Sequence, residues 1–269
     1  MTLGLKRMNL AKQIAKYETK GFNRERAEIN TLMENAAFTI FRDFPDAFVL
    51  FGGATLVLYH DSVRHSADLD LLTMASELPS RIQIISSLER DVKPIAQIMH
   101  LGDIRFDTED SHAPEGRISV TTSAGQHLFR VDLTRFGSAI ESEIDLHPVE
   151  LEEGITAVIR SASKELLLLQ KAEAFLLRRN VKARDAFDIH LLIQIGATLS
   201  ANLRGHLQDT MLANEIDADV ISDRITKVDS NLCRLELKPI LPENVYSPLE
   251  QAGFESLRQA VNDLYKEWL

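Results

Sequence analysis

A single cysteine, Cys233, stands among 269 residues. It has no partner for an intrachain bridge, so the chain has no disulfide framework and suits a reducing compartment. A zinc site of paired Cys and His ligands is disfavoured for the same reason, and the scattered histidines show no metal-ligand spacing. Long apolar runs are also missing. None approaches the roughly 20 residues that cross a bilayer. The opening MTLGLKRMNLAKQ has neither the apolar core nor the small-residue cleavage site of a secretory signal. The expected location is the cytoplasm, with no membrane partner. An excess of positive charge is lacking too: 30 Lys and Arg face 40 Asp and Glu, for a net charge of −10. Proteins that hold nucleic acid through many phosphate contacts carry basic surfaces. A stable nucleic-acid binder is therefore disfavoured, while a brief visit by an RNA end is not. No internal repeat, low-complexity stretch or flexible linker is visible.

The composition is that of an ordinary soluble protein, 45% hydrophobic and 26% charged. The length suits two lobes. Asn23 is placed to cap a helix running to Phe41, with Ile29, Leu32, Met33, Ala36, Ala37, Ile40 and Phe41 on its inner face. A second helix is expected from Ser80 to Met99, with Ile82, Ile84, Ile85, Leu88, Val92 and Ile95 inward and Pro94 ending or kinking it. Short strands are expected around Asp103–Phe106, Arg117–Thr122, His127–Thr134 and Thr156–Ile159, and TEDSHAPEG reads as a loop. Beyond about residue 160 the pattern is helical. The expected organisation is an α+β (α/β) lobe, residues 1–160, with a mixed sheet flanked by helices, and a helical lobe, residues 161–269, completing a cleft. Prolines 239, 242 and 248 read as a loop region, and a single terminal amphipathic helix is expected from Pro248 to Leu269.

The most informative stretch is FVLFGGATLVLYHDSVRHSADLDLLT, residues 48–73. An apolar strand leads into Gly52-Gly53, then a short apolar helix from Ala54 to Tyr59, a polar turn, and Ser66-Ala67-Asp68-Leu69-Asp70-Leu71-Leu72. Residues two apart in a strand share a face, so Asp68 and Asp70 point one way while Leu69 and Leu71 enter the core. Two adjacent carboxylates repel unless a cation sits between them, and hard divalent ions take such oxygens together with substrate phosphates. Asp-x-Asp alone usually marks a solvated strand face, and Gly-Gly alone a turn. The order strand, Gly-Gly, helix, turn, Ser-x-Asp-x-Asp is what lifts the pair. A third acid lies in Phe129-Arg130-Val131-Asp132-Leu133-Thr134. Its alternation puts Arg130, Asp132 and Thr134 on the face opposite Phe129, Val131 and Leu133. Asp132 would join the first pair if the two strands were neighbours.

A second constellation follows in the helical part. Ser163 caps KELLLLQKAEAFLLRR, where Lys171, Ala174 and Arg178 fall at i, i+3 and i+7 on one helical stripe. A small residue between two cations leaves room for a phosphate chain; a solvated basic stripe is the plainer alternative. Next come Arg184, Asp185 and Asp188. Arg184 and Asp188 are spaced to pair within one helix, and Asp185 near the helix start suits the macrodipole.

GGATLVLYHDSVRHSADLDLL resembles the first motif of the AbiEii/AbiGii toxin family, within the polymerase β-like nucleotidyltransferase superfamily, with Gly-Gly-Ala where the wider superfamily has Gly-Ser. Val131-Asp132-Leu133 resembles the superfamily's later strand carboxylate. Lys171-x-x-Ala174-x-x-x-Arg178 and Arg184-Asp185-x-x-Asp188 resemble the third and fourth motifs, in order and distance. The resemblance implies a magnesium-dependent transfer of a nucleotide from ATP, GTP or CTP to an acceptor hydroxyl. Two magnesium ions, with manganese as a substitute, would be held by Asp68, Asp70 and Asp132. Gly52, Gly53, Ala54 and Ser66 would seat the triphosphate, and Lys171 and Arg178 would stabilise phosphate charge from the helical lobe. Asp185 would act as base, metal ligand or orienter. The implied role is the toxin of a toxin–antitoxin pair, with an antitoxin protein as partner and the end of a transfer RNA as one acceptor. Transfer to a protein or small-molecule hydroxyl, and a silent nucleotide-binding or antitoxin-binding protein, are the alternatives.

Overall fold

The computed structural model describes residues 10–73, 78–109, 115–135, 143–150 and 156–268. The chain divides into two compact units, Met1–Ala162 and Ser163–Leu269.

The first unit is a mixed seven-stranded sheet with four helices among the described residues. Helix α1 (Leu10–Thr19) precedes α2 (Arg24–Asp43). Asn23 caps α2 by accepting a hydrogen bond from the Arg26 amide at 3.0 Å. The whole expected apolar stripe of α2, from Ile29 to Phe41, is buried. Strand β1 (Phe48–Phe51) is buried on both faces and runs straight into α3 (Gly52–Tyr59). Then come β2 (Asp68–Thr73), α4 (Arg81–Ile98), β3 (Ile104–Asp107), β4 (Gly116–Thr122), β5 (His127–Arg135), β6 (Ile144–Glu150) and β7 (Thr156–Ala162). The strand order is β3-β4-β5-β2-β1-β7-β6. Strands β2 and β5 pair in parallel, as do β1 and β7, and the other pairs are antiparallel. The Asp-x-Asp strand is thus an interior strand, and its two leucines Leu69 and Leu71 are fully buried in the core. Arg42 and Arg90 bridge Asp43 and Asp91, which ties α2 to α4.

Several local expectations are corrected. Ile82 is 43% exposed, and Arg81 takes the buried position at the start of α4 instead. Pro94 does not end α4, which continues to Ile98. A Pro this near the end of a helix removes one hydrogen bond without stopping the last turn. Strand β6 adds to the expected strands; it contains Pro148 and lies at the edge of the sheet, where proline is tolerated. Most of the TEDSHAPEG loop lies outside the described residues.

The second unit is helical throughout its described residues: α5 (Lys164–Leu177), α6 (Ala183–Gln194), α7 (Ala201–Ala213), α8 (Ala218–Thr226), α9 (Ser230–Leu237), α10 (Glu243–Gln251) and α11 (Glu255–Tyr265). Side-chain oxygens of Ser163, Ser200, Asp217 and Asp229 cap α5, α7, α8 and α9. The expected terminal helix is in fact two. Gly253 and Phe254 both adopt left-handed backbone, at φ 61° and 59°, and the Phe254 amide closes back on the Leu249 carbonyl at 2.8 Å. Pro248 sits inside α10 and not in a loop.

Candidate active site

The di-glycine turn is built around side chains that leave no space for a Cβ. Gly52 has φ +71°, and a methyl group there would lie 1.9 Å from Asp70 Oδ2. A methyl on Gly53 would lie 2.6 Å from Ser66 Oγ and 2.7 Å from an Arg64 guanidinium nitrogen. The glycines are required because the Asp70 carboxylate, the Ser66 hydroxyl and Arg64 close directly on the backbone at the start of α3. Ser66 and Arg64 are both buried.

Asp70 is in register with Asp132 on β5, and Asp68 with Arg130. All four are partly exposed on the sheet face opposite Leu69, Leu71, Val131 and Leu133. The parallel pairing therefore brings together the three acids singled out from the sequence. Cross-strand pairing on both sides of β5 also supplies partners that the sequence did not reveal. Arg130 donates to Asp68 Oδ1 at 2.7 Å, and Arg117, in register on β4, donates to Asp132 Oδ1 at 2.7 Å. Asp70, Asp132, Arg81, Arg117, Thr108 and Ser119 line a cleft of about 690 Å³. Gly116, with φ +125°, makes room for Arg81: a methyl there would lie 2.0 Å from its guanidinium. Nothing in the sequence marks Arg64 and Arg81, because a lone arginine carries no pattern and only burial sets it apart.

His65 adjoins this face. Burial pushes its pKa down to about 4, helped by Arg26 and Arg64 and opposed by Asp68. It is neutral at pH 7.

The residues fit a hard cation in chemistry: three carboxylates share one face, and Gly52 makes a close cradle for one of them. They are not a finished cage. Among the described residues, no three Asp, Glu, His or Cys side chains are assembled to hold a metal.

In the second unit, Lys171 on α5 pairs with Asp188 on α6 at 3.1 Å, and both are buried. The expected Arg184–Asp188 pair is corrected: Arg184 is exposed while Asp188 is fully buried. Arg178 is the C-cap of α5: its amide still bonds the Ala174 carbonyl at 3.2 Å, and the backbone turns extended only after it, so Lys171 and Arg178 both meet carboxylates of α6. Arg178 Nε approaches Asp185 Oδ2 to 3.0 Å. Yet among the described residues neither that nitrogen nor either Asp185 oxygen has a hydrogen-bond partner, so the contact is Coulombic and poorly aligned. Burial raises the Asp185 pKa, against the pull of Lys171 and Arg178. Arg224 fixes the turn by donating to the carbonyls of Phe175 and Arg178, both at 2.6 Å.

The chain that carries this di-glycine turn, Asp-x-Asp strand and in-register third aspartate is a nucleotidyltransferase by family. The family model described as "Nucleotidyl transferase AbiEii toxin, Type IV TA system" matches residues 37–264, and the chain belongs to that family. Among solved structures, a candidate nucleotidyltransferase from H. pylori superposes with a TM-score of 0.52 at 20% identity, covering 92% of this chain and 97% of that one. JHP933 from Helicobacter pylori gives 0.49 at 19% identity, covering 96% and 94%. No curated protein matches the chain. Among the described residues, no helix is long and apolar enough to cross a membrane.

Proposed function

We propose that the chain transfers a nucleoside monophosphate from a nucleoside triphosphate to an acceptor hydroxyl, with magnesium as the cofactor. The observation that carries this reading is the in-register pair Asp70 and Asp132, with the Gly52 backbone pressed onto Asp70. Asp68, Asp70 and Asp132 would hold the cation, which would supply charge neutralisation on the phosphates and a more acidic hydroxyl. The amides of Gly52, Gly53 and Ala54 at the start of α3 offer donors to phosphate oxygens, and the buried Ser66 keeps that turn closed. In the reaction the acceptor oxygen bonds to the α-phosphorus, the bond to the bridging oxygen breaks, and pyrophosphate leaves. Lys171, Arg178 and Asp185 enter the proposal through the family's motif order, and their roles are tested kinetically.

The acceptor is proposed to be an RNA end, such as that of a transfer RNA. An antitoxin is the expected partner and the cytoplasm the expected location. Incubation with each labelled triphosphate and magnesium, with total RNA in one arm and protein alone in the other, tests this. Label in the RNA is the expected result. Label only in protein would move the acceptor to a protein hydroxyl, and no label in either arm would contradict the transfer.

A further inference from the structure

The carboxylate face has counter-charges of its own. Asp68 faces its register partner Arg130, with contacts of 2.7 Å from Nε and 2.5 Å from a terminal nitrogen. Asp132 faces its register partner Arg117 at 2.7 Å. Both pairs follow from cross-strand geometry, which sets opposite residues side by side. Asp68 and Asp132 are thus each matched by one guanidinium, and Arg81 lines the same cleft. A divalent cation entering with both arginines in place would meet like charge at the very oxygens it needs. The side chains of Arg117 and Arg130 are 55% and 33% exposed, so they have room to swing away. Ion pairs this open to water contribute little, so exchanging them is cheap.

We propose that Arg117 and Arg130 are exchangeable counter-cations. They hold Asp132 and Asp68 until a divalent cation displaces them, and their forks then receive phosphate oxygens of the nucleoside triphosphate. Arginine suits both roles because one planar fork grips carboxylate and phosphate alike. The inference rests on the reading of these aspartates as metal ligands, and it accounts for carboxylates that share a face without forming a cage among the described residues.

The exchange has a signature that a purely structural ion pair lacks. Removing either arginine strengthens metal binding and weakens nucleotide binding. The test measures Mn2+ affinity by electron paramagnetic resonance on the full chain without nucleotide, for wild type, R117Q, R130Q, R130K and D70N. Affinity for a non-hydrolysable triphosphate analogue at saturating Mn2+ is measured in parallel. R117Q and R130Q are expected to bind Mn2+ about 3- to 10-fold more tightly, and the analogue about 10-fold more weakly. R130K keeps the charge and loses the fork, so its Mn2+ affinity should stay near wild type while analogue affinity falls. Unchanged or weaker Mn2+ binding in both Gln variants, with D70N losing Mn2+, would overturn the exchange alone. Equal Mn2+ binding by wild type and D70N would overturn the metal reading beneath it.

Discussion

Asp70 on β2 stands directly beside Asp132 on β5, two strands paired in parallel and 62 positions apart in the chain when counted from 70 to 132. Two carboxylates so placed repel each other in the absence of positive charge. Arg117 supplies one compensating charge, and the close approach of Asp70 to the Gly52 backbone fixes where the other acid points.

The Gly52 cradle gives the first prediction. In G52A the added methyl would need the space of Asp70 Oδ2, and alanine would have to adopt φ +71°. The backbone strain alone costs about 1–2 kcal/mol. G52A is expected to lower stability by at least that amount in urea denaturation and to abolish nucleotidyl transfer. Wild-type activity in G52A would mean that the Asp70 position is not needed.

His65 gives a pH dependence. Its folded pKa of about 4 lies below the ordinary value of 6.5, so the unfolded chain binds the proton more readily. The neutral form stabilises the fold fully above pH 6.5, and this contribution is lost as pH falls from 6.5 towards 4. A pKa displaced this far corresponds to roughly 3 kcal/mol of stability. His147 and His190, whose pKa values burial also lowers, act in the same direction. The difference between wild type and H65Q in denaturation isolates His65. It should narrow in favour of H65Q across that window, and a difference independent of pH would contradict the assignment.

The buried Lys171–Asp188 pair separates packing from chemistry. K171M takes the ammonium away from a fully buried carboxylate, and breaking such a pair costs about 3–5 kcal/mol. Replacing both partners, as in K171M/D188L, should recover most of that stability, because apolar replacements of buried pairs are often neutral. Transfer activity should stay lost in the double variant. Its return together with stability would make Lys171 a structural residue only.

Asp185 behaves differently, because both its oxygens are buried without a hydrogen bond among the described residues. Its raised pKa means that the charged form is penalised on folding, so stability from this residue falls as pH rises through the folded pKa. D185N is expected to leave stability at pH 7 within about 1 kcal/mol of wild type while transfer falls sharply. A buried group left without hydrogen bonds calls for an explanation, and a catalytic role is the one that D185N tests. Full activity in D185N would contradict that role.

The sequence showed what short-range geometry controls. Period-two alternation put Asp68 and Asp70 on one face and Asp132 on another strand's open face, and the structure agrees. Strand register is a long-range property, so the sequence could not tell that Asp70, not Asp68, would stand beside Asp132, or that Arg130 and Arg117 would take the flanking acids. The same limit explains Asp188. Its spacing favoured Arg184 on the same helix, but packing of α6 on α5 buried it against Lys171. At the C-terminus the apolar stripe continues through Gly253 and does not record the left-handed turn that divides α10 from α11.

The most direct measurement is nucleotidyl transfer by D70N, which keeps the shape of the side chain and removes its charge. With each labelled triphosphate, magnesium and total RNA, the loss should be about a thousandfold or more, with thermal unfolding close to wild type. Label incorporated by D70N at the wild-type rate would contradict the assignment of this strand face as the seat of the reaction.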